Sequence, residues 1–371
     1  MIQIGIDARE FKKGNNTGIA RYMGEFLKYS VKNKDGYEYI LFCDQSTDVP
    51  IEGSGIKKVV IPGYCTFVWD QIQLPRCLKK EKIDIFLTPY FKAPLFAPCK
   101  VVVVINDLIP IKFSGYRTLT SFFRRLYFKL LAYISIKRAD RVVTISNYSK
   151  KDLIDTFHIK KDKIKVLALP VGEIFKKLYS IPEDALKKYN IHKKFIFYFG
   201  NFKPHKNVKT LLEAYKELPL ETREEYSLVI GGKPDNYYKN IVRSINKLGL
   251  KDDVIFTGFL KDQGLVYLYN AASIFVFPSL YEGFGYPPLE SMACGTPVVA
   301  FKRTSLPEVI KDTGVLLESS DFKDLSKEIN NLLINSRTRD LLSVKCLERA
   351  KYFTIDKMSR ELLGIFQELH R

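Results

Sequence analysis

The stretch Pro278-Ser279-Leu280-Tyr281-Glu282-Gly283-Phe284-Gly285-Tyr286-Pro287-Pro288-Leu289-Glu290 sets two carboxylates, with seven residues between them, around two glycines. Gly283 and Gly285 let a backbone come close to a ligand. Pro287 and Pro288 suit the first turn of a helix, where a missing N–H costs nothing. A helix starting here offers free N–H groups and a positive dipole end, an anion site that needs no metal. Glu282 precedes the turn and Glu290 lies inside the helix. Ionised carboxylates accept hydrogen bonds in pairs, which suits sugar hydroxyls. Anion-binding amides beside hydroxyl-binding carboxylates make a pocket for a sugar nucleotide. A charged surface turn would explain the carboxylates alone, but not the whole string.

A second cluster, Phe199-Gly200-Asn201-Phe202-Lys203-Pro204-His205-Lys206-Asn207, joins an apolar run to a helical one. Lys206 can neutralise a diphosphate as charge builds on it. A third, Asn106-Asp107, ends the all-apolar run Val101–Ile105. Asn106 donates and accepts hydrogen bonds but exchanges no proton near neutral pH, and Asp107 can equally be a loop cap. A fourth spans 121–138, rich in Phe, Tyr, Arg and Lys. On a helical wheel Leu119, Phe122, Phe123, Leu126, Leu130, Tyr133 and Ile134 form one stripe, read as core. Phe128 falls opposite, beside Arg124 and Arg125, and with Lys129 reads as a face for a membrane interface.

These clusters need a scaffold. Ile2–Asp7, Tyr39–Cys43, Val59–Ile61, Asp84–Leu87, Val101–Ile105 and Arg141–Ser146 read as strands between helical segments, with Ser146 capping the next helix. A second series runs from Lys194–Phe199 through Ser227–Gly232, Val254–Gly258, Ile274–Phe277 and Pro297–Ala300 to Val315–Leu317. Continuously apolar strands alternating with helices indicate parallel sheets covered on both faces. The expected fold class is α/β, two Rossmann-like doubly wound domains facing a cleft. At 371 residues the chain has room for two domains of roughly 150–200 residues.

The string Pro278–Ala300 resembles the retaining glycosyltransferases of family 4, as does Ser305-Leu306-Pro307-Glu308. The resemblance is tightest from about Gly200 to Glu308 and looks most like bacterial polysaccharide mannosyl- and rhamnosyltransferases. It implies the GT-B fold, with an acceptor-binding domain at 1–175, a nucleotide-sugar domain at 176–354 and a helix at 355–371 crossing back to the first. It implies catalytic roles for Glu282 and Lys206. Donor contacts would come from Gly18, Asn201, Lys203, Lys206, Glu282, Gly283, Phe284, Gly285, Tyr286 and Glu290, with Glu290 on the ribose. Gly18 stands in the loop 14–18, similar to the family's glycine-bearing first loop. Asn106 and Asp107 would lie on the acceptor side. Two departures stand out. Asn106 takes the place of a frequent histidine, which excludes general-base work by a histidine there. Asn201 follows Gly200 where an arginine is common, leaving Lys203 as the nearest cation, a point contact and not a bidentate one.

The implied reaction moves a sugar, with a lean to mannose, from a nucleotide-diphosphate donor to a glycan or lipid-linked acceptor in surface-polysaccharide synthesis, with retention and without a metal or other cofactor. A sugar-nucleotide epimerase of the same architecture, or an inactive scaffold, are the rival readings. The epimerase needs an acid or base at the sugar, which Asn106 does not supply.

Composition bounds the rest. The chain is 46% hydrophobic, enough for a large core, and no run reaches the roughly 18 apolar residues of a spanning helix. Met1–Asp7 enters a strand pattern directly, without signal-peptide features. Six scattered cysteines and four scattered histidines form no framework and no metal set. Net charge is +18, of which residues 1–180, with 31 Lys+Arg and 17 Asp+Glu, carry +14. So basic a half calls for an anionic partner, a membrane surface, a nucleic acid or an acidic substrate, of which an anionic membrane surface is the expectation. No nucleic-acid-binding signature accompanies it. The expected place is the cytoplasm, peripheral at the inner face of the membrane.

Overall fold

The computed structural model describes residues 2–12, 18–63, 65–113 and 119–371. Side chains of residues 119–121 are outside that description, as is most of the expected phosphate loop, 14–17. The chain divides into two compact units. The first comprises Met1–Pro170 with Thr354–Arg371, the second Val171–Phe353. The break thus falls five residues before the expected one at 175, because Val171 N–H is bonded to Phe353 C=O, inside the second unit.

The first unit's sheet contains β1 (Ile2–Asp7), β2 (Tyr37–Cys43), β3 (Ile56–Val60), β4 (Ile85–Thr88), β5 (Lys100–Val104), β6 (Arg141–Thr144) and β7 (Ile164–Val166), in the order β3-β2-β1-β4-β5-β6-β7. The second unit's sheet contains β8 (Lys194–Phe199), β9 (Tyr226–Gly231), β10 (Val254–Gly258), β11 (Ile274–Phe277), β12 (Val298–Phe301) and β13 (Val315–Leu317), in the order β10-β9-β8-β11-β12-β13. Every pairing between these strands is parallel. Both units are doubly wound, and the strand order reverses beside the first strand, between β1 and β4 and between β8 and β11. Open sheets of this kind bind ligands outside the carboxyl ends of the strands at that switch.

The strand sequences follow from burial on both faces. β11, Ile-Phe-Val-Phe, is buried at every residue, and so is all but the first residue of β5, Lys-Val-Val-Val-Val. Ser146 caps the helix Asn147–Phe157 by accepting from Ser149 N–H. The closing helix Ile355–His370 buries Met358, Leu362, Ile365 and Phe366, one helical stripe, and packs on Gly18–Asn33 through Phe26 and Phe366 with ring centroids 6.4 Å apart.

The helix Leu119–Arg138 is turned the other way from the sequence reading. Phe128, assigned above to an outer face, is buried with Ala132 and Ile136 in the core beneath β5 and β6, its ring 4.1 Å from that of Phe91. The stripe read as core, Phe122, Phe123, Leu126, Leu130 and Tyr133, is exposed. Ala132 and Ser135 are small and let the helix lie close to the sheet. Ser135 Oγ accepts from Ala93 N–H. Arg125 turns to the Ile111 carbonyl at 2.8 Å, and Arg138 to the carbonyls of Leu95, Ala97 and Cys99. The hydrophobic period predicts a stripe but not the side on which a sheet lies, and here polar anchoring decides it.

One close backbone approach is obligatory. Gly232 has φ +149°, and a Cβ there would stand 2.0 Å from the Gly200 carbonyl oxygen. Gly232→Ala should cost about 3 kcal/mol in chemical denaturation, because backbone must move on both sides. Gly249→Ala, at φ +67° with open space around it, should cost only about 1 kcal/mol. Equal costs would refute the steric account.

Candidate active site

The second unit's candidates gather at its switch. The turn Pro204–Lys206 follows β8, and the loop 278–285 follows β11. Lys206 Nζ reaches Glu282 Oε1 at 2.7 Å, with both side chains about 10% exposed. Lys206 also lies over the Phe277 ring, 4.9 Å from its centroid. Ser279 Oγ donates to the same Glu282 oxygen. Glu282 N–H donates to Thr304 Oγ1 at 3.0 Å, and Ser305 Oγ donates to the carbonyls of Glu282 and Phe284. The loop after β11 is therefore held by the loop after β12. Leu280 N–H and Ser279 Oγ bond to the His205 carbonyl, which ties it to the β8 side as well.

Gly283, Phe284 and Gly285 are buried in this loop, with Phe284 edge-on to Tyr286 and Phe353. Gly285, at φ +116°, precedes the helix Tyr286–Ala293, and a Cβ there would stand 2.9 Å from Leu306 Cδ2. No side chain of Gly285 caps the helix. The expectation of several free N–H groups at this end needs correction. Pro287 and Pro288 have none, and Leu289 N–H is already bonded to the Gly285 carbonyl. The helix end acts on an anion more through its dipole than through donors. Glu290 is buried one turn further on and accepts from Tyr269 Oη at 3.1 Å.

In the loop after β8, Asn201 Oδ1 accepts from Lys203 N–H at 3.3 Å, the Asn201 carbonyl accepts from Tyr198 Oη, and Lys203 is exposed. His205 is buried, and its pKa is pushed down to about 3 by that burial, with the charges of Lys206 and Lys203 adding to it. It is therefore neutral near pH 7.

The first unit holds the remaining candidates. Gly18 opens the helix Gly18–Asn33. Asn106 and Asp107 follow β5, where Asp107 Oδ1 accepts from Ile109 N–H at 2.9 Å, a local turn bond. Asn106 Oδ1 is buried and meets no hydrogen-bond partner among the described residues. Sequence reasoning missed the network at the β1/β4 switch. Arg9 bridges Asp7 at 2.5 Å and Asp70 at 2.7 Å and stacks 3.6 Å over Trp69. Lys92 meets Asp70 at 3.0 Å, and Tyr90 Oη donates to Glu10 at 2.5 Å. Burial opposes the Arg9 charge, but Asp7 and Asp70 outweigh it and its pKa is raised. These residues come from three separated segments, so no local spacing pointed to them. Ser279, Thr304 and Ser305 were overlooked for a different reason, since their hydroxyls act on backbone and on Glu282.

The Lys206–Glu282 pair should behave as a unit in unfolding experiments. Glu282→Ala alone or Lys206→Ala alone leaves a buried charge unpaired and should cost about 3–5 kcal/mol. The double substitution should cost clearly less than the sum, and strict additivity in the cycle would mean that the pair is not formed. His205 predicts a pH effect. Its folded pKa lies below its unfolded value near 6.5, so the stability it contributes is present above pH 6.5 and is lost as pH falls toward 3. Between pH 7 and 5.5 the loss should be about 1 kcal/mol. His205→Gln should flatten that part of the melting-temperature profile.

Comparisons with known proteins bear on the family and the fold. Residues 16–171 match the family described as Glycosyltransferase Family 4, and residues 183–348 match Glycosyl transferases group 1. The chain is 32% identical over 243 residues to the O-antigen chain mannosyltransferase B of Escherichia coli, covering 63% of this chain and 62% of that one. It is 35% identical over 261 residues to the serotype-specific mannosyltransferase WbdA of Escherichia coli, covering 69% of this chain and 32% of that one. The chain thus spans less than two thirds of the length of these relatives. In fold, it matches sucrose-phosphate synthase from Thermosynechococcus elongatus with a TM-score of 0.80 at 19% identity, covering 100% of this chain and 99% of that one. It matches WaaG, a glycosyltransferase involved in lipopolysaccharide biosynthesis, with a TM-score of 0.79 at 15% identity, covering 98% and 99%. Each half of the chain thus matches a glycosyltransferase family model, and its two-domain fold is shared over nearly the full length with solved glycosyltransferase structures.

Proposed function

We propose that the protein transfers a hexose, mannose by the lean of its relatives, from a nucleotide-diphosphate donor to a glycan or lipid-linked acceptor in surface-polysaccharide synthesis. The observation that carries this reading is the Lys206–Glu282 pair at the second unit's switch, beside the Gly283–Gly285 turn. Without donor, each charge satisfies the other. A bound sugar nucleotide offers both a better partner: its diphosphate takes Lys206, and a sugar hydroxyl donates to Glu282. Exposed Lys203 and the helix dipole at Tyr286 add positive potential for the leaving phosphates. That supply of charge supports a reaction independent of metal. Glu290 is the proposed ribose contact, its carboxylate exchanging the Tyr269 hydroxyl for the ribose or binding both.

With Asn106 in place of a general base, the proposed route is retention. The departing phosphate takes the proton of the acceptor hydroxyl, which attacks from the face the phosphate leaves. The C–O bond to phosphate breaks, the new glycosidic bond forms there, and the proton ends on the nucleoside diphosphate. Asn106, whose amide both donates and accepts, is proposed to hold a hydroxyl. The first unit is assigned to the acceptor and the second to the donor, with the work done at the inner face of a membrane.

A panel of nucleotide-diphosphate hexoses, mannose included, should raise the melting temperature for one donor and show its turnover. Glu282→Gln should lower kcat on the order of a hundredfold while nucleoside-diphosphate affinity stays nearly intact, since that ligand carries no sugar. Lys206→Met should lose both. Chelator should change neither, and the product should keep the donor's anomeric configuration by NMR. Turnover abolished by chelation would reject metal independence, and an inverted product would reject the retaining route.

A further inference from the structure

More than half of the exposed large apolar side chains among the described residues lie between residues 60 and 133, in the first unit. Their centre is the outward stripe of the Leu119–Arg138 helix. Phe122 is 58% exposed, Phe123 61%, Leu126 56% and Leu130 55%, with Tyr127 and Tyr133 beside them. Phe122 and Phe123 pack edge to face, 5.7 Å apart, so the patch holds itself together. It continues past the helix. Arg138 binds the carbonyls of Leu95 and Ala97, which places exposed Phe96 at the helix's C-terminal end. Gln71 exchanges bonds with Ala93 and Leu95, which adds exposed Phe67 and Ile72 from the neighbouring segment.

The charges on the helix are of one sign. The helix carries Arg124, Arg125, Lys129, Lys137 and Arg138 and no carboxylate. At 3.6 residues per turn, Lys129 falls on one margin of the apolar stripe, and Arg124, also exposed, lies beyond Tyr127 on the other side. Lys137 stands on the stripe itself at the C-terminal end, over the Tyr133 ring at 5.5 Å. Lys163 Nζ comes to the Lys137 carbonyl at 3.4 Å. Its pKa is lowered by burial, with Lys137, Arg138 and Arg141 adding to the effect and Asp140 opposing it. Asp140 and Glu368 are the acids there, already shared among Lys100, Arg138, Arg141 and Lys165. Cations are thus in excess at the end of an apolar aromatic face.

We propose that this face, and not the Phe128 side, docks on an anionic lipid bilayer. Aromatic and leucyl side chains enter the headgroup region, and Arg124, Lys129 and Lys137 meet the lipid phosphates. Charge decides the occupant. A second copy of the chain would set this cationic rim against another like it, whereas an anionic surface neutralises it. The proposal rests on the membrane-borne acceptor only for its biological sense, not for its evidence.

The test is co-sedimentation of the full chain with phosphatidylcholine vesicles, with and without phosphatidylglycerol, at low and high salt. Binding should need the anionic lipid and weaken with salt. Phe123→Ser with Leu126→Ser should weaken it about tenfold, as should Arg124→Glu with Lys129→Glu, at unchanged melting temperature, because all four side chains are exposed. Leu341→Ser, an equally exposed apolar side chain in the second unit, should change nothing. No sedimentation with anionic vesicles, equal binding by all variants, or a patch-dependent dimer in vesicle-free solution would each overturn the proposal. Donor turnover without vesicles separates the two readings. A chain that binds vesicles but turns over no sugar nucleotide sinks the enzyme reading alone, and one that turns over donor but ignores vesicles sinks this one alone.

Discussion

The site depends on holding a lysine and a glutamate, 76 residues apart in sequence, within 2.7 Å of each other in a nearly dry place. Burying two charges costs several kcal/mol each before their attraction returns anything. The surroundings recover that cost locally. Ser279 adds a donor to Glu282, the Phe277 ring lies under the Lys206 ammonium, and the main chain of Glu282 is pinned by Thr304 and Ser305. None of these contacts would exist without β8 and β11 lying side by side, because their following loops would then end at different places on the sheet edge. The strand order is therefore a requirement of the chemistry as well as of the packing.

The same neighbourhood explains why His205 must be neutral. A protonated imidazole beside Lys206 and Lys203 would place three cations around one carboxylate in a buried turn. Desolvation and those two charges keep the proton off. The carbonyl of His205 accepts from Leu280 N–H, with Ser279 Oγ 3.0 Å from the same oxygen. The close approach of Gly232 to the Gly200 carbonyl lies at the start of the same loop.

Much of this could be read from sequence, for identifiable reasons. Strands buried on both faces leave uninterrupted apolar runs, so β5, β8, β9 and β11 were visible directly. Glu282 and Glu290 were visible because glycines and prolines restrict the backbone between them. The orientation of the Leu119–Arg138 helix was not visible, because its outward face is as apolar as its inward face and only tertiary bonds from Arg125, Ser135 and Arg138 distinguish the two. The reduced donor set at Tyr286 was in principle legible, since prolines at 287 and 288 remove two N–H groups on inspection. The Asp7–Arg9–Asp70–Lys92 network was not, because its members share no local pattern.

The two switch points have the same strand order and different charged groups around it. At β1/β4, among the described residues, Asp7, Glu10 and Asp70 stand with Arg9 and Lys92, and Trp69 and Tyr90 form aromatic walls. At β8/β11 Lys203 and Lys206 stand with Glu282, Glu290 lies one turn into the following helix, and that helix's positive end is close by. Carboxylates beside aromatic rings suit a sugar, whose hydroxyls donate to the carboxylates and whose C–H faces stack on the rings. Two ammonium groups and a helix's positive end suit a diphosphate, and the carboxylates beside them suit the hydroxyls of the same ligand. The proposed division of labour, acceptor on the first unit and donor on the second, therefore has a chemical reason besides likeness to other proteins. The reversal of strand order makes a crevice in each sheet, and the groups set around it decide what enters.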